Sequence, residues 1–173
     1  MKVGFNCSTF DFFHAGHVTM LKEEKRHCDY LIVALQSDPT IDRPYTKNKP
    51  VQTLYERYVQ VTSCKYVDEV LVYSTEEELL NMIQTQHIDI RFLGDEYKTK
   101  DFTGKQWCLD NGIELHYHLR EHPFSSSSLR LRTWKAEQER INGLQQRQPG
   151  ESIKNNQKQS DTGPVAEEMG YEK

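Results

Sequence analysis

Nothing in this 173-residue chain approaches a run of 18 apolar side chains, so the sequence excludes a membrane-spanning helix. It has no basic excess either. Lys and Arg number 22 against 26 Asp and Glu, a net charge of −4, which argues against binding through a nucleic-acid backbone. A cleft for one small phosphorylated ligand is still allowed, because net charge says little about a single site. No Cys-x-x-Cys pair is present. Cys7, Cys28, Cys64 and Cys108 are scattered, and the expectation is four reduced thiols in a cytoplasmic protein, ahead of structural zinc or a disulfide. The first residues enter a strand-like run with no apolar leader or small-residue cleavage site, which fits the same compartment.

The length is that of one domain with a tail. A body of roughly 130 to 150 residues buries about 68% of its unfolded surface, enough to fold without metal or disulfide. Residues 131–173 hold seven basic and seven acidic side chains, so the body carries the whole negative charge. From 146 the chain is rich in Gln, Asn, Gly and Pro with little to bury, and disorder is expected over 146–173. Residues 131–145 are expected to form one further helix, with Leu131 and Trp134 as its apolar anchors.

Within residues 1–130 the pattern alternates strand and helix. KVGFNC, DYLIVALQ, DEVLVY, IDIRFL and IELHYHL read as five strands, the second nearly continuous in apolar residues as a strand buried on both sides should be. AGHVTMLKEEKRHC reads as a helix with Val18, Leu21 and Cys28 on one face. The apolar or aromatic positions Val51, Leu54, Tyr55, Tyr58, Val59 and Thr62 follow helical spacing. TEEELLNMIQTQ is a helix capped by Ser74 or Thr75, with acids in its positive first turn. The expectation is a Rossmann-like α/β fold: a doubly wound, five-stranded parallel sheet with helices on both faces. Ligands in such folds bind beyond the carboxyl ends of the strands, which directs attention to the segments after Cys7, Leu93 and Leu119.

The first of these, STFDFFHAGH, places His14 and His17 three apart where a strand hands over to a helix near Gly16. Helix N–H groups and imidazole donors there suit an anion; a zinc pair and ordinary interface histidines are the alternatives. In FLGDEY, Gly94 permits close approach of a ligand and Asp95 could accept from a sugar or base, although Gly-Asp is also a common turn. In REHPFSSSSLR, serine hydroxyls before a helix and the flanking Arg120 and Arg130 could form a second anion nest, or merely cap a helix. Lys47 and Lys49 lie in a loop leaving the same edge of the sheet.

TFDxxHxGH, KYVDEV at 65–70, FLGDEY at 92–97 and RxxxxSSSxLR at 120–130 together resemble the small cytidylyltransferases, in particular the glycerol-3-phosphate type. The resemblance covers about residues 1–130. It implies transfer of CMP from CTP to a phosphorylated small alcohol with Mg2+ assisting, in a homodimer. His14 and His17 would stabilise the α-phosphate and departing pyrophosphate, and Lys49 and Lys47 would hold phosphates around the reacting centre. Thr9, Phe10, Asp11 and Gly16 belong to the loop and helix start that line the nucleotide site. Gly94 and Asp95 would frame the nucleotide, Arg120 with Ser125, Ser126 and Ser127 would grip its phosphates, and Arg57 would meet the acceptor phosphate. No protein metal ligand is expected, because Mg2+ keeps waters and is carried by the nucleotide.

Three positions depart from the family pattern. Ser8 stands where glycine is usual, Glu121 replaces threonine, and Pro123 replaces glycine, removing an N–H from that loop. Two further readings stand beside the first: an adenylyltransferase acting on a sugar phosphate such as heptose phosphate, and a nucleotide-binding protein without activity.

Overall fold

The computed structural model describes residues 1–119 and 123–145. Five strands, β1 (Val3–Ser8), β2 (Tyr30–Gln36), β3 (Glu69–Tyr73), β4 (Ile90–Gly94) and β5 (Glu114–His118), form one parallel sheet in the order β3-β2-β1-β4-β5. The order reverses at β1, so β2 and β4 leave their shared neighbour in opposite directions and a crevice opens above its end. Four helices connect the strands: α1 (Ala15–Glu24), α2 (Leu54–Thr62), α3 (Glu76–Thr85) and α4 (Lys105–Asp110). A fifth, α5 (Ser126–Gln145), follows β5. The chain divides into two compact units, Met1–Arg132 and Thr133–Lys173. In the second, the described residues continue α5, where Arg140 pairs with Glu137 one turn back. The disorder expected over 146–173 falls outside the described residues.

Each sheet face has its own core. Phe5, Ile32 and Ala34 pack with Leu79, Ile83 and Cys108 of α3 and α4 on one side. Leu31, Val33, Ile90 and Phe92 pack with Leu21 of α1 and Val61 of α2 on the other. This two-sided burial explains why the central strands lack an apolar-polar alternation. All four cysteines are free thiols. Burial pushes the Cys28 thiol up to about 11, which leaves it protonated and unreactive. No helix among the described residues is long and apolar enough to cross a membrane.

Local chemistry sets the helix starts. Thr53 and Glu56 form a reciprocal capping box on α2, and Thr75 caps α3 ahead of Glu76, Glu77 and Glu78. Gly104 enters α4 at φ +78, a left-handed conformation that costs glycine little.

The structure decides one face that the spacing left open and corrects another. The aromatic stripe on α2 points outward: Tyr55 is 76% exposed, and Tyr58 and Val59 are exposed too, while Arg57 and Val61 face the sheet. Arg57 turns inward because four backbone acceptor contacts await it there: the carbonyls of Thr9, Gln36, Ser37 and Gln52. Helix α1 ends at Glu24 instead of running to Cys28, and its buried side is Gly16, Leu21 and Glu24, with Val18 exposed. An acid thus occupies a core position that the apolar pattern assigned to other residues.

Gly4 lies where β1 passes closest to its neighbours. A Cβ there would sit 2.6 Å from Phe92 Cε2 and 2.7 Å from Cys28 Sγ. Gly4→Ala is expected to lower stability by about 1–3 kcal/mol through overpacking, read as a reduced urea midpoint at unchanged m-value.

Candidate active site

The site begins where β1 ends. Phe10 and Phe12 both adopt φ 51, a left-handed conformation that side-chained residues enter at a cost and hold only when the surroundings over-determine it. Asp11, between them, supplies the constraint. Its carboxylate, 5% exposed, accepts from the Val51 and Gln52 amides at 2.9–3.2 Å and pairs with Arg130 of α5. Phe12 N–H donates to Gln52 Oε1 at 2.7 Å, and Arg130 lies over the Phe12 ring. Phe10 packs in the core against His17.

The loop delivers two imidazoles to the start of α1. His14 is the N-cap: its Nδ1 accepts from the Gly16 amide at 3.0 Å, and its carbonyl accepts from the His17 and Val18 amides. His17 Nδ1 in turn accepts from the His14 amide at 3.4 Å. Because both Nδ1 atoms are acceptors, the neutral rings carry their proton on Nε2. The rings stack at 4.0 Å with 22° between planes, and Phe13 stacks on His17 at 5.6 Å. His14 Nε2 lies 3.4 Å from Ser126 Oγ, whose own proton goes to the Asp11 carbonyl. The Gly16, His17 and Val18 amides, expected to meet an anion here, are therefore engaged by His14, and both imidazoles line the cavity beside them.

A cavity of about 860 Å³ opens over the carboxyl ends of the strands. Of the residues singled out from the sequence, Thr9, His14, Gly16, His17, Lys47, Gly94 and Asp95 line it. The others lie elsewhere. Phe10 and Asp11 hold the loop from beneath, and Arg57 is buried against carbonyls instead of reaching toward an acceptor phosphate. Lys49 is exposed, with its carbonyl accepting from Arg130 at 3.2 Å. Ser125 caps α5 by accepting from the Ser128 amide, Ser126 joins Asp11 to His14, and Ser127 is exposed on the first turn. Arg120 and Glu121 fall outside the described residues.

The structure also assembles groups that sequence reasoning missed. Along α1 and β5, buried Glu24 accepts from Asn6 and lies 2.6 Å from His118 Nε2. Burial raises the Glu24 carboxyl; burial pulls His118 down, but the Glu24 and Glu23 carboxylates more than offset it and hold the imidazole above its usual range. Beside them Glu23, His27 and His116 bring donor atoms within 4.8 Å of one another, a cluster able to coordinate a metal. Burial, then neighbouring His27 and His118, lowers the His116 imidazole toward its neutral, ligating form. Two nitrogens and one carboxylate suit a zinc-class ion better than Mg2+, which prefers oxygen and water. The sequence held one usable signal: His116 and His118, two apart on a strand, must share a face.

The crevice of this Rossmann-like sheet is edged by paired imidazoles at a strand-to-helix turn. The chain belongs to the Cytidylyltransferase-like family, whose sequence model matches residues 5–132. It is 38% identical over 95 residues to an ethanolamine-phosphate cytidylyltransferase of Dictyostelium discoideum, covering 55% of this chain and 26% of that protein. It is 33% identical over 112 residues to the bifunctional protein HldE of Rhodospirillum rubrum, covering 65% and 22%. The chain thus spans about a quarter of the length of these relatives. The lipopolysaccharide core biosynthesis protein of Thermoplasma volcanium shares the fold, with a TM-score of 0.58 at 24% identity over 70% of this chain and 99% of that one. These likenesses support the family broadly and do not single out the glycerol-3-phosphate type expected from the motifs.

Asp11→Ala should cost about 3 kcal/mol, since it strands Arg130 and two amides. The loss is to be read in urea unfolding, with faster hydrogen exchange at the Val51 and Gln52 amides.

Proposed function

We propose that this chain transfers a nucleotidyl group from a nucleoside triphosphate to the phosphate of a small phosphorylated molecule, releasing pyrophosphate. The observation that carries the reading is the stacked His14–His17 pair at the start of α1, both rings lining the cavity and both Nδ1 atoms tied to backbone amides. A phosphate monoester is largely dianionic at neutral pH and needs no general base. Its oxygen attacks the α-phosphorus in line, the bond from that phosphorus to the bridging oxygen breaks, and the electron pair leaves with pyrophosphate. Preorganised imidazole donors would stabilise the charge that builds on the leaving oxygens, and the tight capping arrangement costs them no reorganisation. Lys47, Lys49, Arg120 and the Ser125–Ser127 turn complete the set of phosphate-binding groups in this proposal, and Thr9, Gly94 and Asp95 frame the nucleotide. Mg2+, carried on the triphosphate, would supply charge neutralisation there.

For donor and acceptor we place adenylyl transfer to a sugar phosphate first. HldE relatives match over 65% of the chain, and neither relative described above is named for glycerol 3-phosphate. Cytidylyl transfer to a phosphorylated alcohol is the second reading, supported by the 38% identity to an ethanolamine-phosphate cytidylyltransferase. Purified protein incubated with each nucleoside triphosphate, Mg2+ and a panel of phosphorylated sugars and alcohols should release pyrophosphate with one pairing above the others. Silence across the panel, with nucleotide bound, would favour a binding protein without turnover.

His17→Ala is expected to stay folded and lose about 10²-fold or more in kcat, the usual worth of one such donor. A loss below about tenfold would remove His17 from the assigned role.

A further inference from the structure

The end of α1 meets the edge strand β5 at a cluster of side chains that nucleotidyl transfer leaves unused. Glu23 stands in the last turn of α1. A tight turn follows, in which the Arg26 and His27 amides donate to the Glu23 and Glu24 carbonyls at 2.9 Å, and it returns His27 to the side of Glu23. His116 comes from the middle of β5, and its ring lies against that of His27 with centroids 4.4 Å apart. The buried Phe92 ring stands edge-on to His116 and gives the cluster an apolar wall.

The spacing is that of metal ligands. One donor atom from each of Glu23, His27 and His116 lies within 4.8 Å of the other two. Glu23 Oε1 and His116 Nε2 stand 3.6 Å apart, beyond the usual range of about 2.7–3.2 Å for an N–H···O bond. Two ligand atoms at about 2.1 Å from a tetrahedral ion stand about 3.4 Å from each other. The pair therefore matches an edge of that tetrahedron better than it matches a donor and its acceptor. Glu23 is also supported from behind. Its second oxygen lies 3.5 Å from His118 Nδ1, a buried atom with no hydrogen-bond partner. His118 is itself held by Glu24, 2.6 Å from its Nε2, and Glu24 accepts from Asn6. Ligating carboxylates are commonly oriented by such outer partners.

We propose that Glu23, His27 and His116 bind one zinc-class divalent ion that ties the end of α1 to β5, with a water as its fourth ligand. Two imidazole nitrogens and one carboxylate are a zinc ligand set, whereas Mg2+ asks for oxygens in an octahedron. Glu23 and His116 line the cavity, so water reaches the ion from that side. β5 pairs with β4 alone at the edge of the sheet, and an ion shared with α1 would fasten it from a second direction. His14 and His17 spend both Nδ1 atoms on backbone amides and belong to no such three-residue cluster among the described residues. The ion is distinct from the Mg2+ carried by a nucleotide, and its binding does not depend on the transferase reading.

The test uses metal-free full-length protein without nucleotide, titrated with Zn2+ against a chromogenic chelator and with Co2+ followed by visible absorption. Wild type should take up one Zn2+ per chain and give Co2+ bands of tetrahedral intensity. Free Zn2+ at about 100 times Kd should raise Tm by about 5 °C or more, and Mg2+ should give no such rise. His116→Gln and His27→Gln should each weaken Zn2+ binding at least about tenfold, while His14→Gln leaves it within about twofold. His27 is exposed, so His27→Gln keeps the metal-free Tm and reads the site even if His116→Gln unfolds. Absence of stoichiometric uptake, octahedral Co2+ bands, wild-type affinity in His27→Gln, or loss of the ion in His14→Gln would each overturn the assignment.

Discussion

A single carboxylate holds together the parts that would otherwise drift apart. Asp11 sits between two phenylalanines in left-handed conformations, and a five-residue turn with that backbone does not persist unaided. Its oxygens take the Val51 and Gln52 amides and the Arg130 guanidinium. Three segments far apart in sequence, the turn after β1, the loop before α2 and the first turns of α5, are thereby joined at one buried point. The same backbone anchors Ser126 through the Asp11 carbonyl, and Ser126 meets His14. The orientation of the imidazole pair therefore depends on a group that does not itself line the cavity.

Around that point the cavity has two chemically different ends. Along α1 and β5 lie Glu23, Glu24, His116 and His118, carboxylates and imidazoles that share protons and could share a metal ion. On the opposite face of the sheet lie Gln36, Arg43 and Arg91, each with a buried N–H that has no partner.

Strand and helix order, the cap of α3 and the two-histidine turn after β1 were all legible in the chain, since each depends on near neighbours, as does the α2 capping box that the sequence reading passed over. Thr53 and Glu56 meet across one helical turn, and His14 and His17 across another. The facing of the α2 stripe stayed open in the sequence, because its spacing was helical but nothing local decided which side it turned to the sheet. Tyr55 and Tyr58 fit a buried arc as well as an exposed one, and Arg57 won the inner position through carbonyls contributed from the last residue of β2, from the residues just after β1 and β2, and from the loop before α2. Arg91 was a charge inside a strand expected to be buried, an available signal with no partner in the sequence to explain it.

Periodicity and capping are short-range matters, and so composition and order alone determined that this chain would build a parallel sheet with its chemistry at the carboxyl edge. Which side chains reach that chemistry was decided by packing. Whether a lysine, arginine or aspartate faces a ligand or a neighbouring backbone depends on which unsatisfied groups distant segments bring beside it. Asp11, Arg57 and Arg91 acquired their surroundings only when β1, β2, β4 and α5 came together, because a buried polar atom takes whatever partner tertiary contact supplies.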